Sequence, residues 1–198
     1  MSADSPLPRR TPLYETHLQA GARMIDFGGW LMPVQYEGIL AEHQRTRTDA
    51  ALFDTCHMGR FFVTGPGACE ALSALLTADL KTQKDGQCRY GFLLRDDGGI
   101  LDDVIADRFN AERWMVVVNA GTRDKDRAWM AARLPAAVHV EDASDRLAKL
   151  DLQGPRALER ARAVLDADYA GLGYFRFTAG SFQGAELIAS RTGYTGEK

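Results

Sequence analysis

CRYGFLLRDDGGILDDVIADRF, residues 88–109, decides the architecture. Two runs rich in aromatic and aliphatic residues flank RDDGG (95–99), whose acidic and glycine residues suit a tight reversal. A turn that short joins antiparallel neighbours, because a parallel connection needs a crossover of roughly a dozen residues or more. Outward from this hairpin, RFFVTG (60–65), WMVVVN (114–119) and AVHVED (137–142) read as further strands. GPGACEALSALLTADL (65–80), with Pro66 near its first turn, and RDKDRAWMAARL (123–134) read as helices. The order is β-α-β-β-β-α-β, which makes the fold α+β, rich in antiparallel pairing and with mixed sheets.

The flanks carry weaker signals. Residues 1–12 read as a loose arm, and a helix is expected from the Thr11-Pro12 start signal through Leu18. Gly28-Gly29-Trp30 is a tight turn carrying a large aromatic. EGILAEHQRTRTDAAL (37–52) predicts an amphipathic helix with Ile39, Leu40 and His43 on one face. A weak repeat links FVTGPGACEALSALL (62–76) to LDLQGPRALERARAVL (150–165), each reading strand, Gly-Pro, helix, with the Gly-Pro pairs 89 residues apart. YFRFTAG and AELIASR then predict a second hairpin before the chain stops at RTGYTGEK. Two units are expected, one from residues 1–55 plus 145–198 and the other from 56–144. Because the second unit stops short of the strands the first supplies, a longer natural protein is expected.

With Lys plus Arg at 24 and Asp plus Glu at 27, the net charge of −3 argues against a nucleic-acid binder. There is no apolar stretch long enough for a membrane span and no secretory signal in MSADSPLPRR. Cys56, Cys69 and Cys88 lack CxxC spacing, and the four histidines stand at no ligand spacing, so neither a disulfide framework nor a metal site is expected. A reducing cytosol fits this cysteine usage. Cys56-His57 is not expected to act as a dyad, since strand neighbours point opposite ways. Gly65-Pro66-Gly67 lacks phosphate-loop spacing.

Asp102 and Asp103 raise the chemical question. Alternation puts Asp103 on one face with Leu101 and Ile105, and Asp102 on the other with Val104, Ala106 and Arg108. Arg108 marks the second face as the wetter one, so Asp103 is expected to be the inward carboxylate, set for a partner or a ligand. The alternative is structural: one aspartate caps the turn and the other lies at a sheet edge. Tyr90 and Trp114 read first as core aromatics, and Asn119 as a turn residue that could also read a planar polar ligand.

Seven stretches, TPLYETH, GARMIDFGGWLMPVQY, RTDAALFDTCHMG, GGILDDVI, VVVNAGTRDKD, LDLQGPRA and RTGYTGE, run in order from residue 11 to 197. Together they resemble the T-protein (aminomethyltransferase) family of the glycine cleavage system. The resemblance implies that family's folate-binding fold, here with the C-terminal barrel-like domain absent. It implies transfer of a methylene carbon from the aminomethyl-lipoyl arm of a partner H-protein to tetrahydrofolate, with release of ammonia. It assigns the catalytic aspartate to Asp103 and folate-lining positions to Met58, Tyr90, Asn119, Tyr174 and Tyr194. The family's arginine for the folate tail and a further glutamate fall beyond residue 198, so residues 1–198 alone are expected to turn over weakly or not at all. Cys56 stands where the family usually has serine. Two related readings are the folate domain of a dimethylglycine or sarcosine oxidase, and a non-enzymatic folate-binding protein of iron–sulfur maturation. The latter carries KGCYxGQE where this chain has RTGYTGE.

Overall fold

The computed structural model describes residues 7–165 and 167–197. The N-terminal segment folds first on itself. β1 (Arg9–Arg10) pairs in parallel with β3 (Trp30–Gln35), and β3 pairs antiparallel with β2 (Arg23–Phe27). Residues 9 and 10 are therefore strand rather than loose arm, while residues 1–6 lie outside the described residues. The β2–β3 turn needs positive φ at both Gly28 (60°) and Gly29 (84°), which is why two glycines stand there. α1 (Tyr14–Gln19) delivers His17 into a buried chain of bonds: the Tyr36 hydroxyl donates to His17 Nδ1 (2.8 Å), and His17 Nε2 donates to Asp54 Oδ2 (2.9 Å).

α2 (Ile39–Thr48) forms where periodicity placed it, but not with the expected face inward. Ile39 and Leu40 are 60% and 85% exposed, and His43 is exposed as well. The helix is fixed instead by Glu42, whose Oε1 accepts the N–H groups of Tyr36, Glu37 and Gly38 at 2.7–2.9 Å. These three N–H groups lead into the helix, so Glu42 ties the entering chain to the first turn of α2. β4 (Ala51–Asp54) follows and pairs antiparallel with β10 (Leu150–Gln153), so residues far apart in sequence make one small sheet.

The larger sheet has seven strands. β5 (Gly59–Thr64), β6 (Gln87–Leu94), β7 (Ile100–Asn110), β8 (Arg113–Val118) and β9 (His139–Asp142) come from the central segment, all antiparallel, with β6–β7 the hairpin of residues 88–109. β11 (Arg176–Phe182) and β12 (Ala185–Arg191) form the second predicted hairpin and join the β6 edge. α3 (Ala68–Ser73) is shorter than its sequence suggests, because the chain leaves the helix at Leu76 to bridge to Leu93 and at Thr77 to bond Phe92 O. α4 (Arg123–Arg133) packs on the same face, burying Arg123, Asp126 and Met130 at helical spacing. α5 (Ala157–Leu165) follows β10. The architecture is the expected α+β with predominantly antiparallel sheets.

Two cores result. Phe61, Val63, Leu72, Leu93, Val104, Trp114, Val116 and Met130 fill the space between the sheet and α3 and α4. On the opposite face Met58, Phe62, Met115, Val117 and Ala143 form a smaller cluster. Among the described residues, no helix is long and apolar enough to cross a membrane.

The weak repeat has a physical cause. Gly65 and Gly154 adopt nearly the same φ, +127° and +131°. A Cβ at Gly65 would stand 2.0 Å from Ala137 O, and one at Gly154 would stand 2.4 Å from Asp49 O. Both strand-to-helix corners therefore require glycine, in conformation and in space. Gly154→Ala is expected to cost about 3 kcal/mol, read as a melting temperature about 6–12 °C lower.

β7 also buries a second kind of carboxyl. Asp107 is 2% exposed, and burial pushes its pKa up to about 7, with the Cys88 thiol beside it. A native pKa above the unfolded value of about 3.9 means the native state binds more protons between those limits. Stability from this group is complete below about pH 4 and is lost toward pH 7, at up to about 1.4 kcal/mol per unit. Denaturant unfolding across that window is expected to show the decline, and Asp107→Asn to remove its share.

Candidate active site

The β6–β7 register places Leu93 opposite Asp102 and Phe92 opposite Asp103. Leu93 lies in the main core, and Asp102 points the same way with 6% exposure, alongside buried Val104 and Ala106. The expectation drawn from Arg108 is thus corrected: the face of Asp102 is the helix-covered core, and Asp103 lies on the opposite, more open face. Arg108 misleads because its guanidinium leaves that face at the strand's end. It donates to Asp85 Oδ1 (2.8 Å) and Gln83 O (2.7 Å), and stacks over Trp114 at 5.4 Å.

Asp102 is held by three donors. Asn119 gives its backbone N–H to Oδ2 and its Nδ2 to Oδ1, both at 2.9 Å, and Thr122 Oγ1 donates to Oδ2 at 2.8 Å. Burial pushes this carboxyl up, but these bonds outweigh it and hold the pKa below the usual range, so Asp102 is an anion. Asn119 also donates Nδ2 to Asp103 Oδ1 at 2.9 Å. One amide at the end of β8 therefore clasps both aspartates. Asn119 Oδ1 accepts no hydrogen bond among the described residues, and half-buried Asp103 keeps an open side.

Aromatic rings gather on that side. Tyr90 neighbours Asp103 on the adjacent strand, its ring edge-on to Phe92 at 5.4 Å. Desolvation and the Asp103 carboxylate raise the phenol pKa of both Tyr90 and Tyr194. Each ring is about half exposed, at 49% and 57%. The Tyr194 loop is fixed by Gln153, whose Oε1 accepts the Tyr194 N–H (3.1 Å) and Thr195 Oγ1 (3.0 Å), and by Arg47 bonding Glu197 at 2.6 Å. Gly193 and Gly196 turn the loop with φ of 74° and 83°. Tyr174 reaches this group only through Gly193, against which its ring lies. Met58 is buried in the smaller core, one residue before Gly59, which pairs with Val118 beside Asn119. The structure thus brings Asp103, Asn119, Tyr90 and Tyr194 together, puts Met58 beneath, and leaves Tyr174 at the margin.

Cys56 and His57 form no nucleophilic pair. The Cys56 thiol donates to Lys149 O at 3.3 Å, and burial pushes its pKa up to about 11, far from a thiolate at neutral pH. His57 packs edge-on to Phe27 and Trp30. The sequence reading missed Thr122, Asp126 and Gln153. Gln153 had a signal, its place just before the special Gly154, whereas Asp126 reads in sequence as one more solvated helix charge.

This fold and its carboxylate–amide site define an α+β domain of the kind described as the GCVT N-terminal domain, a family that matches residues 13–198. An aminomethyltransferase of Chlorobium luteolum is 48% identical over 193 residues, covering 96% of this chain and 53% of its own length. One from Moorella thermoacetica is 45% identical over 190 residues, covering 96% and 52%. The crystal structure of glycine cleavage system aminomethyltransferase T from Bartonella henselae superposes with a TM-score of 0.86 at 38% identity, covering 96% of this chain and 51% of that one. The chain belongs to the GCVT N-terminal domain family, and it spans about half the length of the curated relatives it matches.

Proposed function

We propose that the Asp103 site binds tetrahydrofolate for the aminomethyltransferase step of glycine cleavage in a bacterial cytoplasm. In that step the methylene carbon of an aminomethyl group on a lipoylated H-protein passes to two nitrogens of tetrahydrofolate; its C–N bond breaks to release ammonia and its C–S bond breaks to leave the arm as dihydrolipoyl. The observation that carries the reading is a carboxylate clasped from one side by Asn119 and open, on the other, toward two half-exposed tyrosines. Asp103 accepts an N–H from the attacking nitrogen and takes up its proton as the new bond forms. Its charge also steadies the cationic carbon in transit. Asn119 Oδ1 accepts from the pterin edge, the faces of Tyr90 and Tyr194 flank the flat ring, Met58 forms the floor and Tyr174 closes the rim. These are aromatic surfaces and unmatched acceptors, which suit a planar ring system rich in N–H donors. The relatives named above are aminomethyltransferases, which favours this reading over an oxidase domain or a maturation protein.

The test is a tetrahydrofolate titration of the 198-residue chain followed by amide and side-chain NMR. Shifts are expected at the Asn119 side-chain amide and in the Tyr90 and Tyr194 rings. Shifts confined to other faces, or none at millimolar folate, would overturn the reading.

A further inference from the structure

We infer that Asp126 is a positioning residue of the Asp103 site: its buried carboxyl meets Asp102 and fixes the carboxylate that orients the Asn119 amide toward Asp103. Asp126 stands in the first turn of α4, one helical turn after Thr122, with no exposed surface. An acidic residue in a first turn ordinarily stays in water, where it meets free N–H groups as an anion. Asp126 does not: neither carboxyl oxygen has a well-formed hydrogen bond among the described residues, and the side chains acting on it are the Asp102 carboxyl and the Thr122 hydroxyl, which is itself turned to Asp102.

Ionising the second of two adjoining carboxyls in such a place is costly, so one of them holds its proton to higher pH. The donors decide which one is. Asn119 N, Asn119 Nδ2 and Thr122 Oγ1 all point at Asp102, so the charge sits there and Asp126 keeps its proton, donating it to Asp102. Burial and the Asp102 charge push Asp126 up to about 7, while Asp102 is lowered. The other charge acting on Asp126 is Lys125 on the same helix, which bonds Leu101 O at 2.8 Å. On β9, the strand against which α4 packs, Asp142 is taken up by Arg123 at 2.7 Å.

The geometry forms a relay from helix to site: Asp126 O–H to Asp102, Asp102 to Asn119, Asn119 to Asp103. Losing the Asp126 proton puts two anions in contact and loosens the grip on Asn119. The Asn119 amide, and with it the direction of its free Oδ1, follows the protonation of a residue that never touches the ligand. The relevance to folate rests on the function proposed above, but the relay itself can be read without any ligand.

The experiment follows the Asn119 side-chain ¹H–¹⁵N pair of the 198-residue chain between about pH 5 and pH 9, in wild type, Asp126→Asn and Asp126→Ala. In wild type the pair is expected to titrate with a midpoint near 7. Asp126→Asn, which keeps a donor and cannot ionise, should hold the low-pH position at every pH, whereas Asp126→Ala should displace the pair throughout. A wild-type amide that stays still over this range overturns the inference, as does an Asp126→Asn chain that titrates like wild type. Should Asp126→Ala fail to fold, the other two chains decide. Tetrahydrofolate affinity, measured in parallel, is expected to weaken about tenfold in wild type as the proton leaves, and to stay level in Asp126→Asn. If folate binds at no pH while the amide titrates, the folate reading fails and the relay stands.

Discussion

Asp103→Asn, placed in a polypeptide of the relatives' full length, is expected to lower the rate of aminomethyl transfer to tetrahydrofolate about 10²–10⁴-fold. Asn119 Nδ2 bonds Asp103 Oδ1, and an asparagine at 103 keeps an oxygen there, so the clasp survives. What disappears is the negative charge and the proton acceptor, the two properties the chemistry uses. The melting temperature should hardly move, because Asp103 is half-buried and carries no part of the helix-covered core. Asp102→Asn is expected to behave in the opposite order. It weakens three charge-assisted bonds at a 6%-exposed position, costing about 1.5–3 kcal/mol, and disturbs the site through Asn119. Stopped-flow or discontinuous assay with loaded H-protein, beside calorimetric melting, separates the two. Equal activity in Asp103→Asn and wild type would remove Asp103 from the chemistry.

The largest stability effect is expected at Arg60, which is 3% exposed. Its guanidinium donates to Cys56 O at 2.9 Å and also to Met58 O, Ser144 O and Leu147 O. Two stretches, 55–58 and 144–149, are thereby pinned to each other by one side chain whose fixed fork reaches several acceptors at once. Arg60→Met removes the donors and leaves buried carbonyls without partners, at about 1–3 kcal/mol each where no water can replace them. Some relaxation will occur, so the expected cost is about 4 kcal/mol, or a melting temperature about 8–16 °C lower. Arg60→Lys should recover only part of it, because a single ammonium cannot span the same set. A loss below about 1 kcal/mol for Arg60→Met would show that the carbonyls find other donors.

The strands were readable because they obey local rules: β6, β7 and β8 are apolar runs separated by turns too brief for anything but reversal. Which face of a strand is inside is not a local property. Arg108 belongs by alternation to the core face, yet its reach takes it to Asp85, so one long side chain inverted the reading of six residues before it. Ile39 and Leu40 failed for the converse reason: periodicity describes what a helix could bury, while Glu42 decides how α2 sits. The family resemblance pointed to Asp103, Asn119 and Tyr194 within the matching stretches and to Tyr90 outside them, and the fold draws the four together from separate segments. Thr122 and Asp126 could not be found this way, since their role depends on α4 landing against Asp102. Buried charge pairs are written in three dimensions and look, in one, like surface residues.

The hairpin of β11 and β12 is matched along seven residue pairs within itself, but it aligns with β6 only at Arg176 and Gln87. Beyond that pair side chains hold it: Phe177 is 7% exposed and lies on Phe109 at 4.6 Å, and Ile188 packs on the smaller core. Tyr174 lies just ahead of it and Tyr194 just after. One wall of the site is therefore built by side-chain packing and by the Gln153 and Arg47 anchors, whereas the Asp102–Asn119–Asp103 side is built into strands β6 to β8 of the main sheet.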